Sequence, residues 1–433
     1  MISGKPVARL PAVRSPFVYG VLTALFGVSA LLLATERMSQ LARFFGTIAS
    51  GAVPNWDFQV YYALGHLART DPGQLYDTGA QVAEVARLTG DVPESSLGFA
   101  YPPFFALAMS PLSRLDADDA YRLFLWANVV LIVVFVGLLW RLASPAPPWQ
   151  RVWLALLVVT SDATFHVLAP GQISAFLVLA MAGGLLLLRQ KRDLAAGGVL
   201  AIVAVKPHLL IGIVLLLALR ARWRAIASLG ATVGAFVVAT LPVMGPGVYL
   251  DHARALLGQA GGGGLDATNY ERMHSWRGFL ASTGLDGSTA VYVLVGLLVA
   301  GAGLGLALWA WRRGPAQGDG TAGQEWAVAL LLPLVLTPHL WTQDLLVFGL
   351  VAALLLSQFA SAGDGIAGAL RSSAIVLAGY VALAESYRLA QGGNSITIIP
   401  LFAAFVWLCL ASWRQQAAAP ARRTPAREEA LAA

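Results

Sequence analysis

Charged residues are scarce in this chain of 433 residues. Asp, Glu, Lys and Arg together make up 12% of it, against roughly 25% in an average soluble protein. Hydrophobic residues make up 58%, and the mean hydropathy is +0.69. This balance excludes a soluble globular domain and predicts an all-α polytopic membrane protein.

Cysteine and lysine are almost absent. Cys409 is the only cysteine, which excludes an intrachain disulfide, and the only lysines are Lys5, Lys191 and Lys206. Arginines that flank apolar runs dominate the net charge of +6, so we interpret it as a topology signal and a contact with membrane lipids. The chain also lacks a Gly-x4-Gly-Lys-Ser/Thr loop and a His-Glu-x2-His motif. We therefore expect no cofactor, no metal site and no nucleic-acid partner.

Twelve apolar runs follow one another along the chain. Most of them approach the roughly 20 residues that a helix needs to cross a bilayer. They predict about 12 transmembrane helices, at 17–35, 119–140, 152–168, 171–188, 194–205, 207–219, 225–243, 289–311, 325–337, 343–357, 372–389 and 396–413.

One set of loops between these runs carries the basic residues. If the N-terminus lies in the cytoplasm, these residues fall on the cytoplasmic side in loop after loop, as the positive-inside rule requires. We therefore predict a multi-pass protein of the cell membrane with both termini in the cytoplasm. The basic residues are Lys5, Arg9, Arg14, Arg141, Arg151, Arg189, Lys191, Arg192, Arg220, Arg222, Arg224, Arg312, Arg313, Arg371, Arg414, Arg422, Arg423 and Arg427.

The loops on the opposite side carry the polar and aromatic motifs. Because reactive side chains are concentrated there, we predict an active site on the outer face of the membrane. The motifs are Asn55-Trp56-Asp57, Tyr101-Pro102-Pro103, Gly171-Gln172, Lys206-Pro207-His208, His274-Ser275-Trp276-Arg277 and His339-Leu340-Trp341-Thr342-Gln343-Asp344.

Loop lengths and composition predict the domain organisation. We expect one transmembrane domain over residues 1–416 and a disordered cytoplasmic tail at 417–433, which is rich in Ala, Arg, Pro and Glu. Two outer loops are long, at 36–118 and 244–288. The second contains the run Gly261–Gly264, which is either a lid over the site or a plain linker.

The first outer loop is predicted to contain interfacial helices. Apolar residues at helical spacing predict amphipathic helices at Asp57–Arg69 and Ala80–Thr89. The segment Tyr101–Leu115 is too short to cross the bilayer and contains three prolines, so we interpret it as a helix in the membrane interface.

Residues 194–219 have two interpretations. One kinked helix would bury Lys206 near the middle of the membrane and move the arginines at 220–224 to the outer side. Two short helices or a re-entrant hairpin keep those arginines inside and make Lys206-Pro207-His208 the outer tip. The charge pattern favours the second interpretation, with the tip in a protein-lined cavity below the bilayer surface.

In their order along the chain, the motifs resemble those of the GT-C class of membrane glycosyltransferases. The resemblance is greatest to glycosyltransferase family 87, the polyprenyl-phosphate-mannose-dependent alpha-mannosyltransferases, and it spans about residues 17–413. The matching elements are Trp56-Asp57-Phe58 with Tyr61-Tyr62, Tyr101-Pro102-Pro103-Phe104, Gly171-Gln172, Gly198 with Lys206-Pro207, Arg222-Trp223-Arg224, Ser275-Trp276-Arg277-Gly278, and Pro338-His339 with Asp344.

The resemblance implies a GT-C-like fold and inverting transfer of a sugar, with mannose as the first choice, from a polyprenyl-phosphate donor to a glycolipid or glycan. It also implies that Asp57 is the general base, which takes the proton of the acceptor hydroxyl. The donor phosphate needs cationic ligands, for which we choose Lys206, Arg277 and His339. The candidate substrate-binding residues are Trp56, Tyr62, Tyr101, Gln172, His208, His274, Trp276, Trp341 and Asp344.

Several of these residues also have simpler interpretations. Asp57 opens a predicted helix and suits an N-cap, Lys206 suits a lysine that snorkels from a helix end, and His339 suits an interfacial histidine. Asp162 and His166 are four residues apart and share a helix face. They form either a metal pair or a structural hydrogen-bonded pair, and we favour the structural one.

We therefore expect a membrane glycosyltransferase. The main alternative is a polytopic transporter or lipid flippase, for which broken helices near the middle of the membrane are typical. The possible break at Lys206 fits that alternative, but no internal repeat is visible in the sequence. A catalytically inactive scaffold is a third interpretation.

Overall fold

A computed structural model describes residues 16–52, 56–90, 100–260, 270–285, 288–312, 323–361 and 365–418. Within these ranges it describes all side chains except those of residues 56, 88–89, 259–260 and 413–418. The regular secondary structure of the described residues is helical throughout, without a β-strand.

The α-helices of the described residues are α1 (Pro16–Ala49), α2 (Trp56–Thr70), α3 (Thr78–Thr89), α4 (Pro103–Met109), α5 (Ala117–Leu142), α6 (Pro148–Val159), α7 (Asp162–Leu168), α8 (Ser174–Arg189), α9 (Asp193–Leu200), α10 (Ile211–Leu219), α11 (Trp223–Met244), α12 (Gly247–Ala260), α13 (Trp276–Ser282), α14 (Thr289–Arg312), α15 (Gly323–Leu336), α16 (Val347–Ser361), α17 (Gly365–Gln391) and α18 (Ile398–Ala418). Short 3-10 helices lie at Pro72–Gln74, Leu112–Arg114, Ala201–Val205, Pro207–Leu210, Tyr270–Arg272 and Thr342–Leu346.

Six helical segments of the described residues are long and apolar enough to cross a membrane. They are α1, α5, α11, α14, α17, and α16 together with the 3-10 turn before it. A seventh candidate is the pair α6 and α7, which is bent by 48°. Five further apolar segments have 10–17 residues. The all-α polytopic membrane protein is thereby confirmed. Each of the twelve apolar runs is helical, but the number of crossings stays a prediction because length and composition do not decide it for the shorter helices.

Helix α1 extends further than the apolar run at 17–35 predicts. The run ends at Glu36 and Arg37, yet the helix continues to Ala49. Both charges find partners on neighbouring helices, since Arg37 pairs with Asp162 of α7 and Glu36 pairs with Arg388 of α17. These ion pairs partner both charges within the helix bundle, and the helix ends about four turns beyond residue 36. Where the first outer loop begins stays a prediction.

The helix ends that carry basic residues meet at one end of the bundle, which we call the basic face. Arg222, between α10 and α11, pairs with Asp193 at the start of α9 over 2.7 Å. Arg220, at the end of α10, pairs with Glu325 at the start of α15 and donates to the carbonyl of Trp311 in α14 over 3.2 Å. Arg220 and Arg222 therefore lie beside the starts of α9 and α15, and the separation of all basic loops from the motif loops stays a prediction.

The segment from Asp193 to Arg222 folds back on itself. A continuous helix of this length would separate the two residues by about 40 Å, whereas their side chains are in contact. The break lies at Lys206, which has φ −121° and ψ 78° between two 3-10 helices. On the returning arm, Gly212 is so close to α15 that a Cβ atom would lie 1.9 Å from the carbonyl oxygen of Ala329. The structure thus has two short arms with Lys206 at the tip, as the charge pattern predicts.

The predicted helices of the first outer loop are present with small shifts of their ends. Asp57–Arg69 is found as α2 and Ala80–Thr89 as α3, which starts earlier because Asp77 caps it by accepting a hydrogen bond from the amide of Ala80 over 2.7 Å. Tyr101–Leu115 contains α4 and the 3-10 turn after it. The run Gly261–Gly264 and most of the predicted tail lie outside the described residues, whereas Ala417 and Ala418 belong to α18.

Candidate active site

Asp57 is the second residue of α2 and is half-buried. Its Oδ2 atom accepts a hydrogen bond from Nε2 of Gln172 over 2.7 Å. The start of α2 is also held by the backbone, because the amide of Phe58 donates to the carbonyl of Pro170 over 2.9 Å. Two segments that are far apart in sequence therefore meet at Asp57.

The turn that carries Gln172 is shaped by Gly171. This glycine has φ +75°, and a Cβ atom there would lie 2.8 Å from Cβ of Phe58. The hydroxyl of Tyr121 supports the turn from the other side by donating to the carbonyl of Ala169 over 2.7 Å. Only glycine combines this backbone conformation with so close an approach to α2, and the approach brings Gln172 within reach of Asp57.

Two tyrosines continue the hydrogen bonding from Gln172. The hydroxyl of Tyr61 donates to Oε1 of Gln172 over 2.7 Å and lies 2.9 Å from the hydroxyl of Tyr101. The backbone carbonyl of Tyr101 in turn accepts a hydrogen bond from Tyr76 over 2.6 Å. Asp57, Gln172, Tyr61 and Tyr101 form the first cluster of the site, which we call the Asp57 cluster.

Lys206, at the tip of the folded-back segment, forms a buried ion pair. Its Nζ atom lies 2.7 Å from Oδ1 of Asp344, and the two residues are 9% and 3% exposed. The hydroxyl of Ser174, the first residue of α8, donates to the same oxygen over 3.1 Å. The charge of Lys206 is therefore balanced by a carboxylate that comes from a distant part of the chain.

Arg277 lies in an aromatic cage. Its guanidinium carbon lies 3.6 Å from the ring centroid of Tyr270 and 5.0 Å from that of Tyr292, which are cation–π distances. Its Nη1 atom lies 3.5 Å from Nε2 of His339. Arg277 is 6% exposed, and no carboxylate of the described residues forms an ion pair with it.

Two histidines, His339 and His208, are influenced by the charges of the site. Burial and the nearby charge of Arg277 lower the pKa of His339 to about 4, so this ring is neutral at neutral pH. Its neighbours include His208, on which the charges of Asp344 and Lys206 act. The Nε2 atom of His208 is buried and has no hydrogen-bond partner among the described residues. The charges of Lys206 and Asp344 therefore reach His208, which in turn acts on His339 beside Arg277.

The Asp57 cluster is also coupled to Lys206. Burial raises the pKa of the Asp57 carboxyl above its usual value of 3.8, while the hydrogen bond from Gln172 and the positive charge of Lys206 act in the opposite direction. A carboxylate whose proton affinity is increased by burial is suited to general-base chemistry. The structure thus brings together a candidate base, a lysine neutralised by Asp344, and an arginine that forms no ion pair with a carboxylate of the described residues.

Other predicted site residues have their polar atoms bound to the protein. His274 is fully buried, and its ring nitrogens contact the hydroxyls of Thr397 and Thr342 over 2.7 and 3.0 Å. Trp276 donates from its indole to the carbonyl of Leu336 over 3.1 Å, and Tyr62 donates to the carbonyl of Leu115 over 2.6 Å. Trp341 is half-buried, and the side chain of Trp56 lies outside the described part.

Sequence reasoning missed Tyr270 and Tyr292 around Arg277, and also Tyr61 and Ser174. Tyr61 follows Asp57 by four residues and so lies on the same face of α2, a spacing that was visible in the sequence. The sequence does not indicate Ser174 as a site residue, because a serine at the start of an apolar helix is common and its partner Asp344 lies 170 residues away.

Asp162 and His166 bind different partners. Asp162 pairs with Arg37, while His166 contacts the backbone carbonyl of Asp162 over 2.8 Å and the hydroxyl of Tyr387 over 3.2 Å. These contacts favour the structural interpretation of the two residues. The described residues contain no group of three or more His, Cys, Asp or Glu side chains placed to hold a metal ion.

The fold and the site define a polytopic helical membrane protein with a buried polar site at the end opposite the basic face. The sequence model of glycosyltransferase family 87 matches residues 99–338, which is more than half of the chain, so the chain belongs to this family and is a membrane glycosyltransferase. The matched range includes Gln172, Lys206 and Arg277, whereas Asp57 precedes it and His339 follows it by one residue. Comparison with curated proteins and with solved structures finds no match.

Proposed function

We propose that the protein transfers a sugar, with mannose as the first choice, from a polyprenyl-phosphate donor to a hydroxyl of a glycolipid or glycan. The observation that carries the proposal is the environment of Asp57. Among the described residues only its Oδ2 atom has a hydrogen-bond partner, which leaves Oδ1 for the acceptor hydroxyl. Burial raises the pKa of this carboxyl, and a stronger base removes a hydroxyl proton more readily.

The distribution of charge supports a donor with one phosphate group. Of the two cations at the site, Lys206 is balanced by Asp344, whereas Arg277 has no carboxylate partner among the described residues. A phosphodiester carries one negative charge, which Arg277 alone offsets. The guanidinium presents its donors in a planar fork that matches two phosphate oxygens, and neutral His339 lies beside it.

Lys206 supports the same phosphate without leaving Asp344. A lysine ammonium has three N–H donors, and Asp344 takes one of them. The remaining two are available to a phosphate oxygen. We therefore retain Lys206, Arg277 and His339 as the proposed ligands of the donor phosphate.

The proposed reaction is a single displacement. Oδ1 of Asp57 takes the acceptor proton while the acceptor oxygen forms a bond to the anomeric carbon. The bond from that carbon to the phosphate oxygen breaks on the opposite face, and the polyprenyl phosphate leaves with the bonding electron pair. Attack and departure on opposite faces invert the anomeric configuration. The cations around the phosphate stabilise the charge that grows on the leaving group.

The orientation in the membrane and the remaining residues belong to the same proposal. If the basic face lies in the cytoplasm, the site opens to the outer face of the cell membrane, where a lipid-linked donor presents its sugar. Trp341, which is half-buried, then supplies aromatic surface for the sugar or the lipid, and Trp56, Tyr62 and Trp276 stay candidates for the same role, within a GT-C-like arrangement of about 12 crossings.

The test uses membranes that contain the protein, radiolabelled polyprenyl-phosphate-mannose and a membrane-lipid extract. We expect the wild type to label a lipid or glycan product and Asp57→Asn, at an equal protein level, to lose transfer. Asp71→Asn is the matched control, because Asp71 follows the same helix α2 and is exposed. Undiminished transfer by Asp57→Asn would eliminate this residue as the base.

Two further arms test the donor and the orientation. Polyprenyl-phosphate-glucose in place of the mannose donor tests the sugar, and absence of wild-type transfer from any lipid-linked sugar would favour the transporter alternative. Asp57→Cys in a Cys409→Ala background tests the topology. Labelling of this cysteine by an impermeant reagent from the cytoplasmic side only would contradict the proposed orientation.

A further inference from the structure

We infer that Gln172 is a positioning residue for Asp57, and that the hydroxyls of Tyr61 and Tyr101 hold its amide in the one orientation that serves the base. The inference rests on the proposed role of Asp57. It assigns Gln172 an indirect function in place of direct substrate binding, and it adds Tyr61 to the residues on which transfer depends.

The two ends of the Gln172 amide have opposite hydrogen-bonding character. Oε1 only accepts, so the hydroxyl of Tyr61, at 2.7 Å, donates its proton there. Nε2 then points at Oδ2 of Asp57, to which it donates over 2.7 Å. A flipped amide would bring Oε1 against the carboxylate and place two acceptors in contact. The Tyr61 proton therefore selects the orientation in which the amide supports the ionised base.

The same direction of hydrogen bonding continues to Tyr101. The single hydroxyl proton of Tyr61 is used on Gln172, so the contact of 2.9 Å between the two tyrosine hydroxyls requires Tyr101 to donate. The donors then run in one direction, from Tyr101 to Tyr61, from Tyr61 to Gln172, and from Gln172 to Asp57. Hydrogen bonds aligned in this way polarise one another in a buried site.

The burial of Gln172 argues against direct contact between its side chain and a substrate. The residue is 3% exposed, and its backbone amide is tied to the carbonyl of Val167 over 2.8 Å. Gly171 holds the turn against α2, since a Cβ atom there would lie 2.8 Å from Cβ of Phe58. Both polar ends of the side chain are bonded within the protein, so we expect an effect of Gln172 on transfer to pass through Asp57.

The charges around Asp57 determine what removal of this amide does. Lys206 favours the ionised carboxylate, the Gln172 amide acts in the same direction, and burial opposes both. Asp344 balances Lys206, and Tyr61 and Tyr101 are the other titratable groups that face the cluster. Loss of the Gln172 donor leaves Lys206 as the main support of the negative charge. The pKa of Asp57 then rises, and the base is ionised only at higher pH.

The experiment measures kcat and the donor KM as functions of pH for Gln172→Leu and Tyr61→Phe, with Tyr249→Phe as the matched control. Tyr249 likewise has its hydroxyl 2.7 Å from another hydroxyl, that of Thr240, but lies outside the site. We expect the acid limb of kcat to move to higher pH in Gln172→Leu. In Tyr61→Phe we expect kcat to fall about tenfold, the effect of about one lost hydrogen bond to a buried group. The donor KM stays within about twofold in both variants, and the control behaves as wild type.

Other outcomes would overturn the inference. A fall in kcat of equal size at all pH values would show that Gln172 only supports the fold. A raised KM with an unmoved acid limb would show direct contact with the substrate. Tyr61→Phe gives an independent answer if Gln172→Leu does not fold, because it removes one oxygen and keeps the ring.

An infrared titration separates failure of this inference from failure of the proposed function. The carbonyl-stretch band of protonated Asp57 is the band that Asp57→Asn removes, and its midpoint in wild type and Gln172→Leu needs no turnover. If Asp57→Asn retains full transfer, the proposed base is wrong, and the infrared midpoint still reports whether Gln172 supports the carboxylate. If Asp57→Asn is inactive but the midpoint does not rise in Gln172→Leu, the positioning role is wrong.

Discussion

The buried pair of Lys206 and Asp344 allows a sharp test of the structure. At 2.7 Å, with an effective dielectric constant of about 20, the attraction between the two charges is about 6 kcal/mol. Lys206→Met removes the cation and leaves the Asp344 carboxylate buried. Among the described residues, the hydroxyl of Ser174 then remains as a hydrogen-bond donor to this carboxylate. Relaxation and water penetration reduce the loss, and we expect a decrease in the free energy of unfolding of about 3–5 kcal/mol.

The assay is reversible unfolding in mixed micelles with increasing SDS, followed by circular dichroism. The double variant Lys206→Met/Asp344→Asn carries no charge at the pair, and Asn keeps an acceptor for Ser174. We expect the double variant to recover most of the stability that the single variant loses, because an uncompensated buried charge dominates the cost. The matched control is Arg254→Gln, which breaks the exposed pair with Asp251 and should change stability by about 0.3 kcal/mol.

Two results would refute this reasoning. A Lys206→Met variant as stable as the wild type would show that Asp344 is not held as a buried charge. A double variant as unstable as the single one would show that the loss comes from packing of the lysine stem rather than from an unpaired carboxylate.

The other predictions concern the turn, the arginine and the base. Gly171→Ala places a Cβ atom 2.8 Å from Phe58 at φ +75°, so we expect a loss of at least about 1–2 kcal/mol in the same unfolding assay together with reduced transfer. Arg277→Lys keeps the charge but loses the planar fork stacked on Tyr270, so we expect the donor KM to rise about tenfold with a smaller change in kcat, measured by steady-state kinetics. Asp57 has a folded-state pKa above its unfolded value of 3.8, so its ionised form lowers stability increasingly as pH rises through the folded pKa. Asp57→Asn should therefore unfold at a higher temperature than wild type at about pH 7, and this difference should shrink near pH 4.

Helix positions were predictable because apolar runs are local signals. Every apolar run of the sequence is helical, and the break at Lys206 follows from charge alternation across the membrane. The ends of helices were less predictable. Helix α1 passes through Glu36 and Arg37 because their partners Arg388 and Asp162 lie 352 and 125 positions away, and no local pattern reveals such pairing.

The candidate site was predictable residue by residue but not pair by pair. Lys206 and Asp344 both appeared among the candidates, in separate roles, yet the structure joins them in one ion pair. Gln172 likewise appeared as a substrate ligand, whereas both ends of its amide are bonded to Asp57 and Tyr61. The sequence pattern indicates which residue types lie in the motif-bearing loops. The partners depend on how distant helices pack, which periodicity does not encode.

The folded-back segment also determines the order in which the site is completed during synthesis. The two arms are made near the middle of synthesis, and each is too short to cross a bilayer alone. Lys206 is synthesised 138 residues before Asp344. The close packing of α10 at Gly212 against α15 likewise requires Ala329, which is synthesised later. Until the last third of the chain arrives, the tip holds a cation without its counter-ion. A nascent chain that ends before Asp344 therefore lacks the carboxylate that pairs with Lys206, so we expect the C-terminal helices to complete the proposed donor site.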